Sequence, residues 1–413
     1  MVKVIQERFD ADPRVVTLSL AQLAESVGNS FIIIVMPLYI ATELRSGGLW
    51  GADELLVTGL VLSLSGFVNA FIQPFSGRAS DYFGRRKAFV LAGLALLATA
   101  NAAYTLADTY VGVLGVRALQ GVAGALIMPA AVALVSEYST ITTRGGNMGV
   151  YNTLRLVGFG AGPVAAGAVV NAGPYALAGV EVDGFTAAFY TASVAAALSL
   201  VLVSVFIRDP ERDGEAEAAR RTSLRVFDDA GGLDAAFSLG VASMFMAIGI
   251  ALFATLQVEV NDRLMQTSTA FGLQFSAFIL AQILLQTPFG RISDVYGRKW
   301  LVVVGMLALA PTTFAQGVVV TPVQMFVARL LQGVAGAMVF APAFALVGDT
   351  AEGDAGARLS MLTMGFMLGV SIGPLSSGYL VSYGFVVPFA FASVLALVGA
   401  ALVYTQVEET VDR

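Results

Sequence analysis

The sequence predicts an all-α membrane protein with twelve transmembrane helices in two pseudo-symmetric six-helix bundles, and three observations carry that prediction. Of 413 residues, 57% are hydrophobic and only 13% charged, with a mean hydropathy of +0.79, against about 25% charge in an ordinary soluble domain. Apolar runs of about 20 residues recur along nearly the whole chain, each long enough to cross a hydrocarbon core of roughly 30 Å as a helix. Short motifs in the first half return in the second at a nearly constant distance. The apolar runs do not alternate as the strands of a membrane barrel would, so the class is helical.

The runs fall at 15–40, 55–76, 88–107, 110–135, 147–170 and 185–207, then at 235–258, 270–289, 300–320, 322–347, 358–383 and 385–407. The first follows Lys3, Arg8 and Arg14 and, at about 25 residues, is too long for the apolar region of a cleaved signal. It reads as span one. An even number of spans puts both termini on one side. With the termini in the cytoplasm, the 23 lysines and arginines divide into three within spans, two outside (Arg45 and Arg263) and 18 inside. The positive-inside rule reads that asymmetry as the orientation. The hydrophilic stretch 208–234 mixes both charge signs and reads as a solvated cytoplasmic linker. The expected domains are therefore an N-terminal six-helix half, 1–207, the linker, and a C-terminal six-helix half, 235–413.

Composition also excludes chemistry. The chain has no cysteine and no histidine, which removes disulfides, zinc centres of the usual kind and imidazole acid–base catalysis. Proton handling falls to carboxylates. None of the lysines, Lys3, Lys87 and Lys299, follows a glycine, so the phosphate-cradling GxxxxGK[ST] loop is absent and ATP is not the expected energy source. No cofactor, metal or nucleic-acid partner is expected. The expected partners are a small-molecule substrate, protons and the lipid bilayer, for a monomer. A net charge of −6 with arginine far above lysine resembles proteins of salt-loving archaea, so a prokaryotic cytoplasmic membrane, that of a halophilic archaeon, is the expected setting.

The repeat is explicit. Gly77-x3-Asp81-x2-Gly84-Arg85-Arg86-Lys87 follows span two, and Gly290-x3-Asp294-x2-Gly297-Arg298-Lys299 follows span eight. Arg117-Ala-Leu-Gln120-Gly-Val-Ala-Gly-Ala in span four returns as Arg329-Leu-Leu-Gln332-Gly-Val-Ala-Gly-Ala in span ten. Gly158-x3-Gly162-Pro163-x3-Gly167 in span five returns as Gly369-x3-Gly373-Pro374-x3-Gly378 in span eleven. All three pairs lie 211 to 213 residues apart. Two six-helix halves related by an axis along the membrane normal follow, with a path between them near mid-membrane.

These residues resemble the major facilitator superfamily over essentially the whole chain. The span-five sequence Gly149-x8-Gly158-x3-Gly162-Pro163-x2-Ala166-Gly167 looks like the glycine–proline signature of the family's exporters, usually proton antiporters for drugs and metabolites, with Ala166 where the signature has glycine. The resemblance implies alternating access. It further implies that the loop after span two steadies the outward-facing state through span eleven, with Asp294 as a weaker counterpart facing span five. Physical chemistry points the same way, because a carboxylate such as Asp81 beside a helix N-terminus is favoured by up to about 2 kcal/mol. The spaced glycines of span five clear one face for close helix contact while Pro163 interrupts the hydrogen-bond ladder, reading as a bendable seam between the halves together with Gly373 and Pro374.

Four charges lie inside spans away from their ends: Glu25, Arg117, Arg155 and Arg329. Each costs roughly 2.5–3.5 kcal/mol at a helix centre, so each is by default a functional candidate. Glu25 is the only carboxylate among them. Counting from the inner face, Glu25 and Arg155 lie at similar depth and can pair, whereas Arg117 lies nearer the outer face; the resemblance makes Arg117 a modulator of the first-span acid. Glu25, Arg117 and Arg155 are the proton-coupling candidates. Asn29, Asn152, Arg155, Gln282 and Arg329 are the substrate-binding candidates, although Arg117 and Arg329 have a plain alternative as caps of carbonyls in their own half. The amides Asn69, Gln73, Gln282 and Gln286 read equally well as interhelical hydrogen bonds. The function expected is secondary active transport by alternating access, specifically proton-coupled efflux of a small amphipathic or hydrophobic compound. Anion or metabolite uptake or exchange through the buried arginines is the alternative, and a non-transporting membrane receptor the third.

Overall fold

The computed structural model describes residues 12–43, 54–140, 143–177, 179–209, 226–227, 232–349 and 355–411. Among them, twelve helices are long and apolar enough to cross a membrane. Spans one to six are Pro13–Thr42, Glu54–Phe83, Arg86–Ala103, Tyr110–Glu137, Arg144–Ala172 and Gly184–Phe206. Spans seven to twelve are Ala235–Thr255, Ser268–Tyr296, Arg298–Val318, Pro322–Asp349, Ala355–Leu380 and Val387–Gln406. The termini and most of the stretch 208–234 lie outside the described residues. What is described there is a bridge from Phe227 to Leu233 and the capping Asp234.

The helix starts follow ordinary capping chemistry. Asp12, Thr109, Asp183, Asp234 and Thr267 each accept a hydrogen bond from a backbone N–H of the turn they open, satisfying donors a helix start otherwise leaves unpaired. Burial pushes the Asp183 carboxyl up, but hydrogen bonds from Thr186 and Phe185 outweigh it and hold the group below the usual carboxylate range. Prolines sit inside spans at matching places in the two halves, Pro129 and Pro342, Pro163 and Pro374, while Pro74 and Pro288 lie one residue out of register. Neighbouring helices and hydroxyls make such breaks tolerable in lipid.

The repeat extends to packing. Span one packs on spans five and six, and span three on four and six; likewise span seven packs on eleven and twelve, and span nine on ten and twelve. Spans two and four meet at Gly121, where an added Cβ would lie 2.6 Å from the Ser65 carbonyl and 2.7 Å from Val68. Their counterparts, spans eight and ten, meet at Gly333 against Phe278 and Ala281. Large apolar side chains such as Phe71, Leu198, Val323 and Val394 stay on the outside, as a lipid-facing surface requires.

The chain divides into two compact units, Met1–Gly51 with Leu64–Arg220, and Ala52–Ser63 with Arg221–Arg413. Residues 52–63, the start of span two, thus group with the second unit, whereas the sequence-drawn boundaries keep them in the first half. Glycine explains the grouping: Gly59 lies against the backbone of Pro374 and Leu375, and Gly378 against that of Leu55 and Leu56.

Several features depart from the sequence expectation. Span two runs to Phe83 and span eight to Tyr296, so most of each basic motif is helical and the turn is only a residue or two. Nothing in Ser-Gly-Arg-Ala-Ser-Asp-Tyr-Phe stops a helix until Gly84, whose φ of 63° is a glycine conformation. Gly297, with φ 107°, ends span eight in the same way. The run 235–258 breaks at Thr255, and a separate short helix, Gln257–Leu264, follows. Tyr175–Leu177 and Val180–Val182 form a small antiparallel hairpin, β1 and β2, between spans five and six.

Candidate functional site

Glu25 lies within span one and is held by its own helix. Gln22, one turn earlier, donates through Nε2 to Glu25 Oε2 at 2.5 Å, and the buried Ser26 hydroxyl donates to the same oxygen at 3.3 Å. From span five, the buried Tyr151 hydroxyl donates to Gln22 Oε1 at 2.6 Å. Arg155, one turn after Tyr151, is close enough to act on Glu25 electrostatically, yet its hydrogen bonds go through Nε and a terminal nitrogen to Asn152 Oδ1, at 3.2 and 2.9 Å. Among the described residues no ion pair joins it to Glu25. A small cavity opens beside the carboxylate, lined by Gln22, Glu25, Val90, Leu94, Ile127 and Val203 and lying wholly inside the first unit. Glu25, Asn152 and Arg155 therefore come together, with Asn29 half-buried one turn beyond Glu25 on the same helix.

Arg117 belongs elsewhere. Its guanidinium donates to Gln120 Oε1 at 2.9 Å, Tyr104 donates to the same oxygen at 2.8 Å, and Gln120 Nε2 donates to Asn101 Oδ1 at 2.7 Å. All four side chains are buried. The second unit repeats the arrangement: Arg329 donates to Gln332 Oε1 at 2.6 Å, and Gln332 Nε2 to Thr313 Oγ1 at 2.9 Å and the Gly249 carbonyl at 3.0 Å. Arg329 is wholly buried, with Phe253 at 4.4 Å, Phe278 at 5.1 Å and Phe275 at 5.5 Å from its guanidinium carbon to each ring centre. Its Nε and one terminal nitrogen have no hydrogen-bond partner among the described residues. Each arginine thus orients a glutamine of its own helix, and the glutamines make the links to neighbouring helices of the same unit, Gln120 to span three and Gln332 to spans nine and seven. Gln282 is similarly internal, with its Nε2 lying 3.3 Å from where a Cβ on Gly336 would stand.

At the basic motifs, Arg86 bridges Asp81 at 3.0 Å and Glu137, the last residue of span four, at 3.1 Å. In the second unit Arg298 bridges Asp294 at 2.9 Å and Asp349, the last residue of span ten. The bridging arginine is the second after the glycine in one half and the first in the other; Arg85 is exposed. Gly77 and Gly290 let the motif helices approach Pro129 and Ala341, at 3.6 and 3.7 Å from an added Cβ. Segments beyond spans six and twelve also meet these turns, with Asp209 accepting from the Lys87 N–H at 2.7 Å and Glu409 from the Arg298 N–H at 2.9 Å.

The glycine faces require a correction. Gly158 and Gly162 meet span one at Leu23, Ser26, Val27 and Ser30, and Gly369 and Gly373 meet span seven at Met244, Ala247, Ile248 and Ala251. The seam those glycines build is inside each unit, since the helix that lies against their bare face is span one in the first unit and span seven in the second. Pro163 and Gly167 are buried in the same helix.

Sequence reasoning missed Gln22, Ser26, Tyr151, Glu137 and Asp349. The last two carried a usable signal, being acids 212 residues apart at the ends of repeated helices. Gln22 carried a weaker one, lying on the Glu25 face of span one.

A sequence model of the Major Facilitator Superfamily matches residues 18–238 and again 236–413. Among curated relatives, the chain is 27% identical over 177 residues to an uncharacterized MFS-type transporter of Methanocaldococcus jannaschii, covering 42% of this chain and 46% of that one. It is 28% identical over 168 residues to multidrug resistance protein 1 of Bacillus subtilis, covering 39% and 42%. The matched region thus spans under half the length of these two relatives. The match to the multi-drug resistance efflux pump PmrA homolog of Lactococcus lactis is longer, 26% over 317 residues, covering 74% and 73%. Among solved structures, a bacterial homolog of the human lysosomal transporter Spinster superposes with a TM-score of 0.77 at 14% identity, covering 94% and 95% of the chains. A D-xylose–proton symporter superposes with a TM-score of 0.75 at 16% identity, covering 96% and 98%.

Proposed function

The chain belongs to the major facilitator superfamily, a family of transporters, and on that premise we propose that it exports a small amphipathic or hydrophobic compound in exchange for protons. One observation carries the proposal. Glu25 is the one carboxylate in the middle of a described span, its Oε2 held by Gln22 and Ser26 and its charge met by Arg155. A buried carboxylate with a movable cationic neighbour can take a proton on one side of the membrane and give it up on the other. Substrate that competes for Arg155 or displaces it from Glu25 would link the two events, with Asn152, which now accepts from Arg155, and Asn29 as further polar contacts. The Bacillus relative is named a multidrug resistance protein and the Lactococcus relative a multi-drug resistance efflux pump, which supports export of a drug-like compound.

The basic-motif clusters Asp81–Arg86–Glu137 and Asp294–Arg298–Asp349 are proposed as the cytoplasmic gating elements, each pinning the start of a helix to the end of another. The orientation with both termini in the cytoplasm, a monomeric state and the two-half division at the linker belong to the same proposal. Anion exchange is a weaker reading, because Arg117 and Arg329 are engaged by Gln120 and Gln332 inside their own halves and only Arg155 faces the cavity-lining acid. Transport by the reconstituted protein across a compound panel, with a pH gradient imposed in either direction, tests the proposal. Uptake into everted vesicles that collapses with the gradient supports it, and transport indifferent to the gradient would exclude it.

A further inference from the structure

The hydrogen bonds around Glu25 run in one direction. An ionised carboxylate only accepts, so the amide of Gln22 must turn its nitrogen to Glu25 Oε2, at 2.5 Å, which leaves its oxygen facing span five. There Tyr151 supplies the matching donor at 2.6 Å. Tyr151 thereby locks the amide against the flip that would present a carbonyl to the carboxylate. Ser26 adds a second donor to the same Oε2 at 3.3 Å. A proton placed on Oε2 would face two donors; Oε1, which has no hydrogen bond among the described residues, has no such conflict.

We propose that Gln22, oriented by Tyr151, is a positioning residue for the coupling acid: it commits Oε2 of Glu25 as an acceptor and leaves Oε1 as the atom that gains and loses the proton. The inference rests on the reading of Glu25 as the proton carrier, and it adds span five as the element that sets the carboxylate's orientation. Among the described residues, the charged or titratable groups facing Glu25 are Arg155 and Tyr151, both on span five. The cavity wall from spans three, four and six is Val90, Leu94, Ile127, Ala131 and Val203, so nothing from those helices competes.

Infrared titration of the full chain in lipid nanodiscs tests this without any substrate, because the carboxyl band lost in Glu25→Gln reports protonation of Glu25 itself. Tyr151→Phe removes one hydroxyl and Gln22→Met removes the amide at similar length. Each takes stabilisation from the anion, so the pH at half-protonation should rise, by about one unit for Gln22→Met, the scale expected for a hydrogen bond to a charged group. The double variant should rise little further than Gln22→Met alone, since the Tyr151 hydroxyl hydrogen-bonds Gln22 and not the carboxylate. Unmoved titrations, or shifts that add in the double variant, would overturn the relay. A relay that behaves as described in a protein whose transport ignores the pH gradient would overturn the export reading alone. A Glu25→Gln variant that loses no titrating band would overturn both.

Discussion

Arg329 places a full charge among three phenylalanine rings with a single described hydrogen bond, to Gln332. Cation–π contact compensates part of the desolvation, and the guanidinium also fills volume. Arg329→Ala should therefore cost about 3 kcal/mol or more through the cavity it leaves. Arg329→Met, which restores apolar volume and removes the two unpaired nitrogens, should lie within about 1–2 kcal/mol of the parent; thermal unfolding in detergent measures both. Equal loss of compound binding in the two variants, with stability unchanged, would instead make Arg329 a ligand. At this scale the sequence exposes the charges, because each is anomalous in an apolar run, but not their partners. Tyr151 and Gln22 are 129 residues apart, neither recurs in the second half, and neither is unusual by itself, so only the fold brings them to Glu25.

Helix pairs are set by where side chains are missing. An added Cβ at Gly162 would stand 2.7 Å from the Val27 carbonyl and 3.1 Å from Ser30 Cβ, whereas one at Gly115 would meet nothing within 4 Å among the described residues. Gly162→Val should therefore separate spans one and five and abolish stable protein in the membrane, while Gly115→Ala should change stability by less than about 0.5 kcal/mol; fluorescence-detected size-exclusion profiles distinguish them. The basic-motif clusters give a second test at this scale. Asp81→Asn should slow transport more than Asp294→Asn, because Arg298 keeps Asp349 and the Ala345 carbonyl while Arg86 keeps only Glu137 among its described ion-pair partners. Similar transport rates in the two variants would count against the asymmetry. Element positions were legible because 20-residue apolar runs have few other solutions in lipid. Element ends were not, since a polar helical extension beyond the bilayer looks like a loop until its glycine is reached. The hairpin at Tyr175–Val182 is too short to leave a periodic signal.

Across the whole chain, the repeat read from three motif pairs reappears as matching helix contacts, proline positions, buried arginine–glutamine pairs and acid–arginine–acid clusters. The charged cluster of spans one and five is not repeated: Glu25, Gln22, Tyr151 and Arg155 have no equivalents in the sequence of the second unit. A scaffold that is duplicated and a charge cluster that is not is the arrangement expected when the repeat provides alternating access and one half carries the coupling ion. The direct measurement is proton movement in proteoliposomes during flux of a transported compound, with an internal pH dye, in the parent protein and Glu25→Gln. The expected result is proton flux opposite to the compound in the parent, absent in Glu25→Gln while binding of a neutral compound persists. Undiminished proton-coupled flux in Glu25→Gln would contradict it.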